Sequence, residues 1–397
     1  MLKFLQIFLV TIFFAMPLLG LITVPSDYIV KGENRRVFQL PELGSKTYFN
    51  DLQNFIKDRI FLKIWSNENL FNFYNSNFKE VNFTSSSLTD NLDFMVEGLH
   101  GWLYAGNVHN YVYSQHSEDL LNSFNEERVN DKLDLLKAIE NLSKSNNSSF
   151  LFVVGPDKHG IYPEYMSYFL SPGKYRFFSE LKKYFDKSNI PYLDLFDIEV
   201  KNKDPEKKKT LYFSDDTHWN LYGAFLGFKE VLKVLEGNEY KPYEYSFTFV
   251  HHNGGDLVRN IKQPENEFLD HAIASRNNAP LIKKIYLEDN SEMYSKLDYV
   301  PDLKFNIKYI NDNAPLNKTV LMISDSFGYF MCPFMADNYR NVVFVNRLET
   351  TLDDVQKLIN DNNPDHIIYI NVERNVIDLM SDKYKLYAIF SYFTYLL

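Results

Sequence analysis

A three-layer α/β fold around a doubly wound, mainly parallel sheet is the expectation for residues 81–397, and three observations carry it. Apolar runs such as SFLFVVG (149–155) and HIIYINV (366–372) are almost unbroken, which suits strands covered on both faces. Amphipathic stretches of helical period lie between such runs. The two kinds alternate along the chain, the pattern of strand–helix–strand crossovers.

The elements follow in order. FMVEGLHGWLYAGN (94–107) reads as a hairpin with Gly98 and Gly101 in the turn. NEERVNDKLDLLKAIENLSKS (125–145) puts Val129, Leu133, Leu136 and Ile139 on one helical face. SFLFVVGPD is a buried strand ended by Gly155-Pro156, GKYRFFSELKKYFDKS a helix, and IPYLDLFDI (190–198) a strand. TLYF (210–213) is a short strand leading into DDTHWN, and residues 219–237 form a helix capped by Gly237. Residues 238–318 break the alternation and read as an insertion of loops and short strands. TVLMISDSFG (319–328) is then a strand entering a sharp turn, NVVFVN (341–346) a strand, TLDDVQKLINDNN (351–363) a helix and DHIIYINVER (365–374) the last strand.

The N-terminal residues are of another kind. Phe4 to Val24 is apolar over about the length of a membrane-spanning helix, longer than a signal-peptide core, with no small-residue cleavage site behind it. Residues 1–25 are therefore expected to be an uncleaved signal anchor holding the chain in the cell inner membrane, with the body outside the cytoplasm. Residues 26–80 read as a juxtamembrane linker and an amphipathic helix bearing Phe49, Leu52, Phe55, Ile56 and Ile60. The apolar tail 386–397 is too short to span. A net charge of −10 disfavours a nucleic-acid partner, and a single cysteine, Cys332, excludes an internal disulfide and a cysteine-rich metal site.

Doubly wound sheets hold their ligands at the carboxyl ends of the strands. Asp157, Lys158 and His159 fall there, as do Asp325 and Ser326, and Asn371, Glu373 and Arg374. Asp215, Asp216 and His218 precede a helix. Ser326 is the best nucleophile, because a strand-to-helix turn exposes a hydroxyl and turns backbone N–H groups toward a developing oxyanion. A serine hydroxyl needs a base, and His218 with an adjacent aspartate supplies one. Each residue also has a plain structural reading: serine and aspartate cap helices, and strand-end charges pair with one another. His251 and His252, being adjacent, would lie on opposite faces of a strand, and no metal-binding spacing such as H-E-x-x-H occurs, so neither a metal nor any other cofactor is expected.

GWLYAGN (101–107), VVGPDKHGIYPEYM (153–166), DTHWNLYGA (216–224), GGDLV (254–258), VLMISDSFG (320–328) and VER (372–374) occur in that order. Together, with ENRRVFQLPEL (33–43) ahead of them, they resemble the SGNH-hydrolase-like alginate O-acetyltransferase family of the AlgJ/AlgX type, in a shorter membrane-anchored form. The resemblance covers nearly all of the chain behind the anchor and implies Ser326 as nucleophile, His218 as base and Asp216 as orienting acid. The serine comes last, as in the permuted acetyltransferase branch and unlike ordinary SGNH hydrolases. It further implies acetyl transfer to hydroxyls of an exported or cell-surface polysaccharide, with a membrane-bound O-acyltransferase as acetyl donor. Two rivals stand beside that reading: a carbohydrate acetylesterase with the same triad, and a non-catalytic export scaffold.

This chain departs from the family pattern at Ser324, where a glycine is usual, and it shows no clear asparagine block. Asn371 is the oxyanion candidate. Lys158 and Arg374 either bind an acidic sugar or brace the site, and Trp219 either walls the pocket or belongs to the core. The D-x-H register selects Asp216 as the acid, while the D-x-x-H register of ordinary SGNH enzymes selects Asp215. The expectation is that Asp216 meets His218 and that Asp215 caps the helix or faces solvent.

Overall fold

The structure, a computed structural model, describes residues 29–30, 35–36 and 95–378, except for 107–108, 111, 117–125, 167–175, 207, 253, 259–267, 298 and 300–302. The chain divides into two units, Met1–Leu92 and Asp93–Leu397. In the first, Ile29–Val30 pairs antiparallel with Arg35–Arg36. The expected anchor at 1–25, the amphipathic helix near 49–60 and the tail 386–397 lie outside the described residues. Among the described residues no helix is long and apolar enough to cross a membrane.

The second unit opens with the expected hairpin, β1 (Met95–Glu97) and β2 (Leu103–Ala105), with Gly101 at φ 79°. Helix α1 (Glu126–Ser145) follows, then β3 (Ser149–Gly155), α2 (Phe177–Ser188) and β4 (Tyr192–Asp194). Only the first half of the run expected as a strand at 190–198 is one; Phe196–Lys201 turns into a short helix, because Asp194 accepts from Phe196 N and starts it. Helix α3 (Leu221–Glu236) ends at Gly237, φ 84°.

Residues 238–318 do contain loops and short strands, but they also enlarge the sheet. β5 (Ser246–Val250) and β6 (His271–Ser275) pair with each other, whereas β7 (Leu281–Tyr286), β8 (Glu292–Lys296) and β9 (Ile307–Ile310) join the central sheet. Next come β10 (Leu316–Ser324), α4 (Gly328–Asn338), β11 (Tyr339–Asn346), α5 (Leu352–Asn362) and β12 (His366–Val372). The eight-stranded sheet runs β8-β7-β9-β11-β10-β12-β3-β4. Its β11 to β4 part is parallel, and its β8 to β11 part is antiparallel.

Alternation along the parallel strands sends side chains to two covered faces. Phe152, Val154, Leu321, Ile323, Val343, Val345, Ile367 and Tyr369 pack with Val129, Leu136 and Ile139 of α1, Phe178, Leu181 and Phe185 of α2, and Val355 and Ile359 of α5. Leu151, Val153, Val320, Met322, Ile368 and Ile370, of opposite parity, are buried as well. On that side α3 and α4 pack together and against β3 and β10. The three-layer expectation therefore holds, and the carboxyl ends of β3, β10 and β12 come together at one edge of the layers.

Candidate active site

Ser326 sits in the turn between β10 and α4, partly exposed. Asp325 builds that turn. Its Oδ1 accepts from Phe327 N (3.1 Å), while its Oδ2 accepts from Val372 N (2.9 Å), Asn371 Nδ2 (3.3 Å) and Asn375 Nδ2 (3.1 Å). The carboxylate thus ties the serine turn to the end of β12. Close packing requires glycine at 328, where a Cβ would come 2.5 Å from Ser324 Oγ and 2.7 Å from the Phe344 ring. Ser324 is buried and donates to Asp325 O (2.8 Å).

The DDTH segment does not lie on a sheet strand. Residues 209–213 make only isolated bridges, Lys209 with Leu269 and Tyr212 with Trp219, so the expected TLYF strand is a loop. Side chains hold this loop in place of a ladder. Lys158 Nζ donates to Phe213 O (3.0 Å), Ser214 O (3.1 Å) and Asp216 O (2.7 Å), which uses all three of its protons. Asp270 accepts from Ser214 N and Oγ, and Asn220 caps α3 through Tyr222 N and Gly223 N.

In this frame His218 Nδ1 lies 2.6 Å from Asp216 Oδ1, and Nε2 lies 2.7 Å from Ser326 Oγ. An ionised carboxylate only accepts, so Nδ1 carries the proton and Nε2 is free to accept from the serine hydroxyl. Burial pushes the imidazole pKa down, but the hydrogen bond and charge of Asp216 and the charge of Asp256 outweigh it, and the net shift is upward. Asp216 is held well below the usual carboxylate range: burial opposes this, and the bond and charge of His218 overcome it.

Asp215 departs from expectation. It neither caps α3 nor faces solvent. It is 1% exposed, and its Oδ1 meets His252 Nδ1 at 2.6 Å while its Oδ2 accepts from Gly255 N at 3.1 Å. The two adjacent carboxylates thus serve two imidazoles, Asp216 with His218 and Asp215 with His252. His251, next in line, is exposed.

The remaining sequence candidates are structural. Asn371 was the oxyanion candidate, but it is fully buried: its Oδ1 accepts from Lys132 Nζ (2.8 Å) and its Nδ2 is directed at Asp325, so it supports the serine turn from below. Lys158 and Arg374 both brace. Lys158 is buried over the Trp102 and Tyr104 rings, and burial lowers its pKa to about 8. Arg374 pairs with buried Asp157, whose Oδ2 also accepts from Arg374 N (2.8 Å). Trp219 is core, fully buried against Phe327 and donating to Phe327 O (3.1 Å).

Sequence reasoning missed Lys132 and Asp256. Lys132 shares a helical face with Val129 and Leu136, and a charge on an apolar stripe was the signal. Asp256 lies in GGDLV, a motif noted without a role. Among the described residues, ligand atoms of Asp216, His218 and Asp256 lie within 4.8 Å of one another, close enough to share a cation. Asp216 and His218 are bonded to each other, and both oxygens of Asp256 accept from Thr217, so the set fits a hydrogen-bonded cluster better than a metal cage.

A serine, a histidine and an aspartate joined in series on the edge of an α/β sheet are the arrangement of serine hydrolases and acyltransferases. More narrowly, residues 95–280 match the family model described as SGNH hydrolase-like domain, acetyltransferase AlgX. The matched segment contains Asp216, His218 and Asp256; Ser326 lies beyond it. Among solved structures, PatB1 of Bacillus cereus, in a form with a sulfonyl adduct, shares the fold at 16% identity and TM-score 0.55, over 72% of this chain and 96% of that one. The O-acetyltransferase domain of Pseudomonas putida AlgJ aligns at 12% identity and TM-score 0.46, over 73% and 95%. No curated protein matches the sequence.

Proposed function

We propose that this protein is an O-acetyltransferase that carries an acetyl group through Ser326 to hydroxyls of an exported or cell-surface polysaccharide. The observation that carries the reading is the single chain of contacts from Asp216 through His218 to Ser326. The family match over residues 95–280 supports the acetyl group.

Ser326 Oγ attacks the carbonyl carbon of an acetyl ester as its proton passes to His218 Nε2. Asp216 stabilises the imidazolium and keeps Nδ1–H in place. Backbone N–H groups of the turn, at the N-terminus of α4, stabilise the oxyanion. The donor's oxygen leaves with the proton from Nε2, and acetyl-serine remains. A sugar hydroxyl then enters, His218 takes its proton, and collapse of the second intermediate returns Ser326 and releases the sugar ester. The acetyl donor is proposed to be a membrane-bound O-acyltransferase, and the apolar residues 4–24 to anchor the chain beside it with the body outside the cytoplasm.

The test incubates the protein with an activated acetyl ester, with and without oligosaccharide acceptors. Acetylated sugar formed by wild type and not by Ser326→Ala is the expected result. Free acetate with no acetylated sugar would make the protein an esterase, and inert wild type would favour a scaffold.

A further inference from the structure

The GGDLV segment passes directly over the DDTH loop, and the two clasp each other. Gly255 N donates to Asp215 Oδ2 (3.1 Å), Asp256 N to Asp216 Oδ2 (2.9 Å) and Leu257 N to Asp215 O (3.2 Å). In return, Asp256 Oδ1 accepts from Thr217 N (2.8 Å) and Oδ2 from Thr217 Oγ1 (2.6 Å). Glycine at 255 is what permits this approach, since a Cβ there would come 2.2 Å from Asp215 O. The clasp leaves Asp256 Oδ2 3.7 Å from His218 Nδ1, on the solvent side of the ring, with the Asp256 side chain 39% exposed.

We propose that Asp256 is a positioning residue for the base: it fixes Thr217, and with Asp216 it forms a pair of carboxylates, one internal and one facing solvent, on the Nδ1 edge of His218. The inference rests on the acetyl-transfer reading for its consequence, but its geometry stands apart from that reading.

The groups around the ring decide what this pair does. Asp216 and Asp256 favour imidazolium, Arg374 opposes it from the end of β12, and Ser326 faces Nε2. Lys158 lies behind both carboxylates, and the Asp215–His252 pair flanks Asp216. Water screens Asp256, so its influence on His218 is smaller than that of Asp216. Partial burial and the charge of Asp216 push the Asp256 carboxyl pKa up, so of the two carboxylates Asp256 is the first to lose its charge as pH falls.

Asp256→Asn tests the proposal, because the amide oxygen still accepts from Thr217 N while the charge is gone. Two readouts are taken on the whole protein: the pH profile of kcat/KM with an activated acetyl ester, and the titration of His218 by NMR. Removing a negative neighbour lowers the pKa of a histidine. His218 therefore titrates at lower pH in the variant, the acidic limb of kcat/KM moves the same way, and kcat falls with KM unchanged. Thr217→Val, which frees Asp256 Oδ2 and keeps its charge, shifts both readouts in that direction by less. Folded variants whose His218 titration and acidic limb match wild type would overturn the proposal and leave Asp256 a loop anchor. The titration needs no turnover: a shifted titration in a protein inert toward the ester would sink the acetyl-transfer reading and leave the positioning role intact.

Discussion

At the scale of single residues, the two aspartates before His218 are separable by experiment. Asp216→Asn removes the group that fixes the Nδ1 proton, and a loss on the order of 10⁴-fold in kcat is expected from that change. Asp215→Asn disturbs the His252 pair instead. It should cost stability, read by urea unfolding, and far less activity. The D-x-H spacing selected the aspartate that lies 2.6 Å from His218 Nδ1, but nothing local in the sequence shows that His252 would claim the other carboxylate. The partner lies 37 residues away and is brought in by the glycine turn at 254–255.

The buried cations answer to the same treatment. Lys158→Met leaves three carbonyls of the base loop without their donor, and a loss of roughly 3 kcal/mol is expected. Arg374→Met strands the buried Asp157 charge, at about 3–5 kcal/mol. Although burial opposes it, Arg374 holds the Asp157 carboxyl well below its unfolded value of 3.8. That stability is fully present above the unfolded value and is lost as pH falls through the folded one. The cost of Arg374→Met therefore shrinks as pH drops below 3.8, and denaturant titrations across acid pH would show it.

At the scale of elements, what was legible followed periodicity. The helices at 126–145, 221–236 and 352–362 and the strands ending at 155, 324 and 372 stand where apolar period and turn residues place them. The DDTH loop was not legible. It looks like a strand end, yet it is held by Lys158 and Asp270, side chains distant in sequence. Gly255→Ala should therefore impair the site without touching a triad residue, because its Cβ would collide with Asp215 O. Loss of activity together with a lowered Tm is the expected outcome, and a fully active, equally stable variant would show that the clasp is dispensable.

At the scale of the whole molecule, the parallel half of the sheet behaved as its apolar strands require, while the antiparallel half did not announce itself. β7, β8 and β9 are exposed on more of their surface and carry charged residues, so their pattern resembles loop. The fold then gathers residues 216–218, 256 and 326 at one site, although the serine follows the histidine by 108 positions. Geometry of this kind depends on the topology of β3, β10 and β12, and chain order alone does not reveal it.

Whether Ser326 carries the acetyl group is tested by intact-mass and peptide mass spectrometry of the protein quenched during turnover of an activated acetyl ester. One added acetyl group is expected on Ser326, present in wild type, absent in Ser326→Ala, and discharged when an oligosaccharide acceptor is added. Acetyl transfer by wild type with no such adduct on Ser326, or undiminished transfer by a folded Ser326→Ala variant, would contradict it.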